Sequence, residues 1–261
     1  MSTTDPAPLP PVLSGEDEAA PTTSVFAKMF NVFTEPGEVF EEVRGSRPNY
    51  LNWLLPLLLS IVFGVGATFI VFAQPAVRQQ LRELTGRAIE KQVAAGNVNR
   101  QQAEAQMKIA EMFSGPVVHS IQVVVGNLML LFLTALVLWT LGSWIFKAPF
   151  GYSKAMEIAG LSSMITVLGA VVTGLLVVIT GNMYMNPGPV LLVARDFQPA
   201  NRAHLLLGML NFFSYWHLFV LSLGLARLAR ISWLRAFLWL MGLWALLTTI
   251  QFAVAVLAGG L

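Results

Sequence analysis

The chain contains no cysteine. That absence excludes disulfide frameworks, thiolate metal centres and cysteine nucleophiles. Charge is also scarce. Asp, Glu, Lys and Arg make up 11% of the 261 residues, against roughly 25% in an ordinary soluble domain. The formal net charge is only +2, too small an excess to favour nucleic acid as a partner. None of the three histidines stands three or four residues from another ligand, and no His-Glu-x-x-His occurs, so no metal site is expected. A nucleophile elbow, a phosphate-cradling Gly-rich loop and a Walker lysine are all missing. The expectation is a protein without enzymatic activity and without a cofactor. The opening residues lack both Lys/Arg and an apolar core, unlike a secretory signal peptide. The first apolar stretch is expected to serve as the insertion signal.

What the chain has instead is apolar length. Hydrophobic residues make up 56%, and the mean hydropathy is +0.66. Such a chain cannot cover itself with polar surface, so lipid must solvate much of it. Five apolar stretches stand at about 51–73, 117–146, 155–181, 203–226 and 236–259. Each reaches the roughly 20 residues a helix needs to cross the hydrocarbon. Isolated strands would leave backbone groups unsatisfied in lipid, and the alternation of a barrel is absent. The predicted fold is therefore all-α: a polytopic membrane bundle of five transmembrane helices.

The remaining segments follow from composition. Residues 1–23 carry five prolines and four acids, which predicts a disordered tail. Residues 24–50 hold two short apolar stripes. Val25, Phe26, Met29, Phe30 and Phe33 form the first, and Val39, Phe40 and Val43 the second, with Pro36 between them. They predict amphipathic helices at the membrane interface. In 74–116, Val77, Leu81, Leu84 and Ala88 step at helical intervals, Gly96-Asn97 breaks the pattern, and Asn99 with Gln102 forms a capping box. An extramembrane helical hairpin is expected there, with its mixed charges solvated.

Basic residues decide orientation. Lys28, Arg44 and Arg47 precede the first span, Lys147 and Lys154 flank the short second connection, and Arg227, Arg230 and Arg235 flank the fourth. The opposite side holds equally many, but six lie in the long 74–116 segment. Short loops near the spans weigh most. This places the amino terminus in the cytoplasm and the carboxyl terminus outside.

Ionisable and polar groups inside spans are the candidates for function, because burying them in lipid is costly. Glu157 lies near the start of the third span, within reach of Lys154. His217 stands among Tyr215, Trp216 and Phe219, where packing explains it more simply than ligation. Asn127, Asn211, Tyr215 and Gln251 read as interhelical hydrogen-bonding groups, or as the lining of a polar path. Asn211 and Tyr215, four residues apart, would share a helix face. Small residues recur at four-residue spacing, as in Ser60 with Gly64, Gly169 with Thr173 and Ala170 with Gly174. They favour close helix contact, within the chain or in a homo-oligomer. Glu41-Glu42-Val43-Arg44 superficially matches the double-glutamate motif of intramembrane CAAX-type proteases. Its arginine spacing is wrong and the intramembrane histidines are missing.

Three stretches carry a family resemblance. Phe33-Thr34-Glu35-Pro36-Gly37-Glu38-Val39-Phe40, followed by Pro48, Trp53 and Pro56, is one. Phe150-Gly151-Tyr152-Ser153-Lys154-Ala155 is the second. Asn211-Phe212-Phe213-Ser214-Tyr215-Trp216, followed by Gly224-Leu225-Ala226 and Ser232, is the third. In order and spacing they resemble the Yip1-domain membrane proteins, specifically the bacterial branch, over about residues 26–257. The resemblance implies five spans, a cytoplasmic amino terminus, an inner-membrane location and no enzymatic activity. It singles out Gly151, Tyr152, Asn211, Tyr215 and Trp216 as motif positions. Eukaryotic relatives act in vesicle trafficking and bind Rab-type GTPases, but their acidic Asp-Leu motif before the first span is absent here. That argues against small-GTPase binding. Two functions remain in view. The first is a non-enzymatic membrane scaffold or interaction protein, in membrane organisation or trafficking, that binds lipids and other membrane proteins and has a closed, apolar interior. The other is a transporter or lipid-handling protein with a mid-membrane cavity lined by Asn127, Asn211, Tyr215, His217 or Gln251.

Overall fold

The computed structural model describes residues 23–198 and 201–257. The tail expected over 1–23 lies outside the described residues save for Thr23, as do the last two residues of the fifth apolar stretch. All regular structure among the described residues is helical. Two short helices, α1 (Val25–Asn31) and α2 (Pro36–Gly45), precede the first long one, α3 (Leu51–Ala73). The hairpin follows as α4 (Pro75–Ala94) and α5 (Arg100–Phe113). Then come α6 (Pro116–Thr140), extended by a π-turn over Leu141–Ile145, and α7 (Tyr152–Thr180). A single-turn helix at Pro189–Val193 leads to α8 (Arg202–Met209), α9 (Phe212–Ala229) and α10 (Trp233–Leu257). Five segments are long and apolar enough to cross a membrane, with α8 and α9 together making the fourth. The fold is a polytopic helical bundle.

Helix boundaries follow local chemistry. Ser24 caps α1 by accepting from the Ala27 amide at 3.2 Å. Proline opens α2, α4 and α6, where its missing N–H costs nothing. Asn99 and Gln102 form the capping box that starts α5. At the end of α7, Gly181 takes φ 63°, a left-handed conformation that strains any residue with a Cβ.

Helix α7 is the axis of the bundle. It packs against α3, α6 and α9, and its first part also meets α1 and α2. Every residue from Ala155 to Ser162 is buried, so this part of α7 is enclosed on all sides rather than amphipathic. Further along, Leu175 and Ile179 turn outward, where lipid replaces protein. Helix α10 is peripheral and attaches mainly through α9.

The fourth apolar stretch departs from the single helix that its periodicity predicts. Leu210 and Asn211 are extended and split it in two. The break is stitched by the preceding loop. Phe212 N–H donates to the Pro187 carbonyl at 2.9 Å, and Asn186 Nδ2 donates to the Gly208 carbonyl at 2.7 Å. Irregular backbone survives at membrane depth only where protein satisfies its polar groups. Asn211 is therefore a cap, accepting from the Phe213 amide at 2.9 Å, and does not share a helix face with Tyr215.

Candidate functional site

Two polar constellations lie in the bundle, at opposite ends. At the amino-terminal end, Pro56 in α3 has no N–H to give, so the Asn52 carbonyl one turn earlier loses its helical donor. That carbonyl faces Gly160 of α7. A methyl group at Gly160 would lie 2.3 Å from the Trp53 Cα and 2.9 Å from the Asn52 oxygen, so only glycine permits the crossing. The approach places Asn52 Nδ2 2.6 Å from Glu157 Oε2, and both side chains are fully buried. Lys154 Nζ lies 3.1 Å from Glu157 Oε1 and donates to the Val43 carbonyl at 2.5 Å. One carboxylate thus joins α3, α7 and, through lysine, the end of α2. Such a charge is tolerable away from water only when paired in this way. Beside it, Lys28 pairs with Glu42 at 3.1 Å and ties α1 to α2. Burial pushes the Glu42 carboxyl up, but hydrogen bonds from Thr23 and Lys28 and the Lys28 charge prevail and hold it below its usual range.

At the hairpin end the bundle opens. A groove of about 670 Å³ runs between α3, α6, α7 and the start of α9. Small residues line it: Gly64 and Ala67 on α3, and Gly169, Ala170 and Gly174 on α7. Gly64 and Gly169 are packed tightly, since a methyl group there would lie 2.7 Å from Val123 and 2.8 Å from Phe213, whereas one at Gly174 would have room. Uncharged polar groups are set into otherwise apolar walls: Ser60, Thr68, Gln122, Asn127, Thr166, Thr173, Asn211 and Ser214. His119 stands among the lining residues with its ring against Phe72, centroids 4.7 Å apart. A smaller pocket of about 30 Å³ shares Ser60, Asn127, Leu130 and Thr166 with the groove and reaches His217. It is large enough for a single water. His217 is half-buried there, and its buried Nε2 has no hydrogen-bond partner among the described residues.

The sequence-predicted residues are dispersed. Asn127 and Asn211 line the groove, and Asn127 meets His217 across the small pocket. Asn127 also donates back to the Val123 carbonyl at 2.8 Å. Tyr215 turns away and packs on Trp244 of α10, ring centroids 4.9 Å apart. Trp216 joins an aromatic cluster with Phe33, Phe212 and Phe213. Gly151 caps α7 by backbone alone, and Tyr152 donates to the Phe132 carbonyl at 3.0 Å. Glu157 belongs to the opposite end, and Gln251 is exposed. His204 lies beside Phe197, ring centroids 5.9 Å apart, and accepts from the Gln198 amide at 3.1 Å. No cluster of three metal-ligating side chains occurs among the described residues. Sequence reasoning passed over Asn52 and Thr166, and took Thr173 only as a small packing residue. Asn52 alone carried a signal, as an amide in an apolar run one turn before an in-helix proline.

Comparison with known proteins agrees with this architecture. The family model for the Yip1 domain matches residues 30–255. Searches of curated proteins and of solved structures gave no match. The matched span takes in α2 through most of α10 and all five apolar segments. The chain belongs to the Yip1-domain family of multi-pass integral membrane proteins.

Proposed function

We propose that the protein is a non-enzymatic membrane protein that holds a neutral amphiphile, such as the chain of a membrane lipid, in the groove at its hairpin end. The observation that carries this reading is the lining of that groove. Its volume falls within the roughly 300–1,000 Å³ of small-molecule sites. Its walls are apolar with scattered hydroxyl and amide groups, and apart from His119 they carry no titratable side chain. That chemistry accepts hydrocarbon and a hydrogen-bonding head, and it rejects a free ion. The broken fourth span supports the same reading, because Asn211 at the break lines the groove. The charge of the short connections favours a cytoplasmic amino terminus, which would put the groove in the outer half of the membrane.

Photo-crosslinking tests it. A photoreactive fatty-acyl lipid should label the wild-type chain on α3, α6 or α7 residues of the groove. Gly174→Trp, which fills the groove, should cut labelling about tenfold while leaving the melting temperature in detergent within a few degrees. Equal labelling of both proteins, or labelling confined to α10, would reject the reading. A scaffold role is the second reading. The observation favouring it is α10, whose face bearing Leu238, Trp239, Gly242 and Leu246 forms a shallow open groove. Membrane crosslinking would then recover one discrete partner through α10.

A further inference from the structure

The strongest feature outside the groove lies at the other end of the bundle, where α9 turns into α10. Helix α9 ends because Arg230 adopts φ 53°, and the Ile231 amide then bonds back to the Ala226 carbonyl at 3.1 Å. The turn leaves a pocket of about 560 Å³ between it and α2. Three arginines line the pocket: Arg44 from α2, and Arg227 and Arg230 from the end of α9. Glu41 is the single carboxylate in the lining, and it pairs with Arg44. Arg227 and Arg230 form no ion pair among the described residues, and Arg44 Nε is buried without an acceptor. The pocket therefore carries an uncompensated charge of two.

Arg227 is also held in place by α2. A methyl group at Gly37 would lie 3.2 Å from Arg227 Nη2, so the guanidinium sits against the first turn of α2. Glu38 in that turn already supplies a carboxylate at the positive end of the helix dipole. The contact places the Arg227 guanidinium between α9 and α2. The forked donors of arginine match phosphate oxygens, and two or three such forks fix a phosphate ester by geometry as well as by charge. The rest of the lining is apolar, with Leu223, Ile231 and Trp233 where α9 leaves and α10 re-enters the hydrocarbon.

We propose that Arg44, Arg227 and Arg230 bind the phosphate headgroup of an acidic membrane lipid whose chain lies along Leu223 and Trp233. The site is independent of the groove at the hairpin end. It gives the amino-terminal segment a reason to dock, since α2 and the α9–α10 turn would share one anion.

Native mass spectrometry of the full chain released from detergent tests this. The probes are phosphatidylglycerol, phosphatidylcholine and soluble glycerol phosphate. The wild type should retain phosphatidylglycerol at least about tenfold better than phosphatidylcholine. Arg227→Gln combined with Arg230→Gln should abolish that preference. Arg47→Gln combined with Arg235→Gln removes the same charge from exposed positions near that end but outside the pocket, and should preserve it. Circular dichroism of both variants checks that helicity is retained. Three results would overturn the proposal. Equal retention of the two lipids by the wild type is one, and an equal loss in both double variants, which means diffuse attraction, is another. The third is displacement of phosphatidylglycerol by equimolar glycerol phosphate, which assigns the site to a soluble phosphate ester.

Discussion

The two ends of α7 solve the same packing problem in opposite ways. At Gly160 the missing side chain lets α3 close until backbone meets backbone, and a buried ion pair locks the contact. At Gly174, roughly 21 Å further along at 1.5 Å per residue, the nearest atom to an added methyl is the Ala67 side chain at 3.8 Å. One glycine is a contact surface, while the other borders a groove. Small residues in a membrane helix therefore do not by themselves mean close packing. What matters is whether a partner has anything to gain by approaching. At the amino-terminal end, α1 and α2 cover the junction and Asn52 supplies a hydrogen bond. The hairpin end has no such cover, and α4 is held instead by Gln80, which bonds Gly181 and Met183 of the loop after α7.

The largest effect should come from breaking the ion pair. Glu157→Ala leaves Asn52 and Lys154 without their carboxylate in the interior, which should cost about 3–5 kcal/mol. The check is thermal unfolding in micelles. Replacing both charges, as in Lys154→Met with Glu157→Leu, should recover most of that loss. If the single variant melted like the wild type, the amino-terminal end would not be the locked one.

A glycine exchange compares the two ends directly. Gly160→Ala should lose about 1–3 kcal/mol through overpacking against the Trp53 backbone. Gly174→Ala should be neutral, or slightly stabilising by up to about 1 kcal/mol, from helix propensity. Melting temperatures measured side by side decide this, and equal shifts would erase the distinction.

Acid should have the smallest effect. The folded-state pKa of Glu42 is held below its usual value, so its contribution is present above the unfolded value near 4.5 and fades as pH falls through the folded one. Because Glu42 is only half-buried and its partner is Lys28 of α1, the change should be local: α1 loosening from α2 below about pH 4, read as faster amide exchange over Val25–Asn31. Exchange that rises equally in α7 would contradict a local origin.

Much of this was legible in the sequence, and the exceptions share a cause. Five apolar runs, the hairpin with its capping box and the basic turn after α9 are local patterns, readable wherever they occur. Pairing of Glu157 with Lys154 also falls within one helical turn. Asn52 with Glu157, Phe33 with Trp216 and the arginine pocket join residues distant in the chain. Periodicity carries no record of them. The break at Leu210 and Asn211 escaped because the run around it stays apolar. What ends the helix is Pro187 and Asn186 in another segment supplying the hydrogen bonds.

The absence of cysteine makes the central contrast measurable in the intact membrane. Single cysteines can be placed at Thr173, in the groove, and at Ala155, fully buried at the closed end. Each is then exposed to a small membrane-permeant alkylating reagent. Thr173→Cys should react readily and Ala155→Cys should stay protected until the protein is denatured. Equal protection of the two would show the groove to be closed, and equal reaction would show the clamp to be open; either contradicts a bundle locked at one end and open at the other.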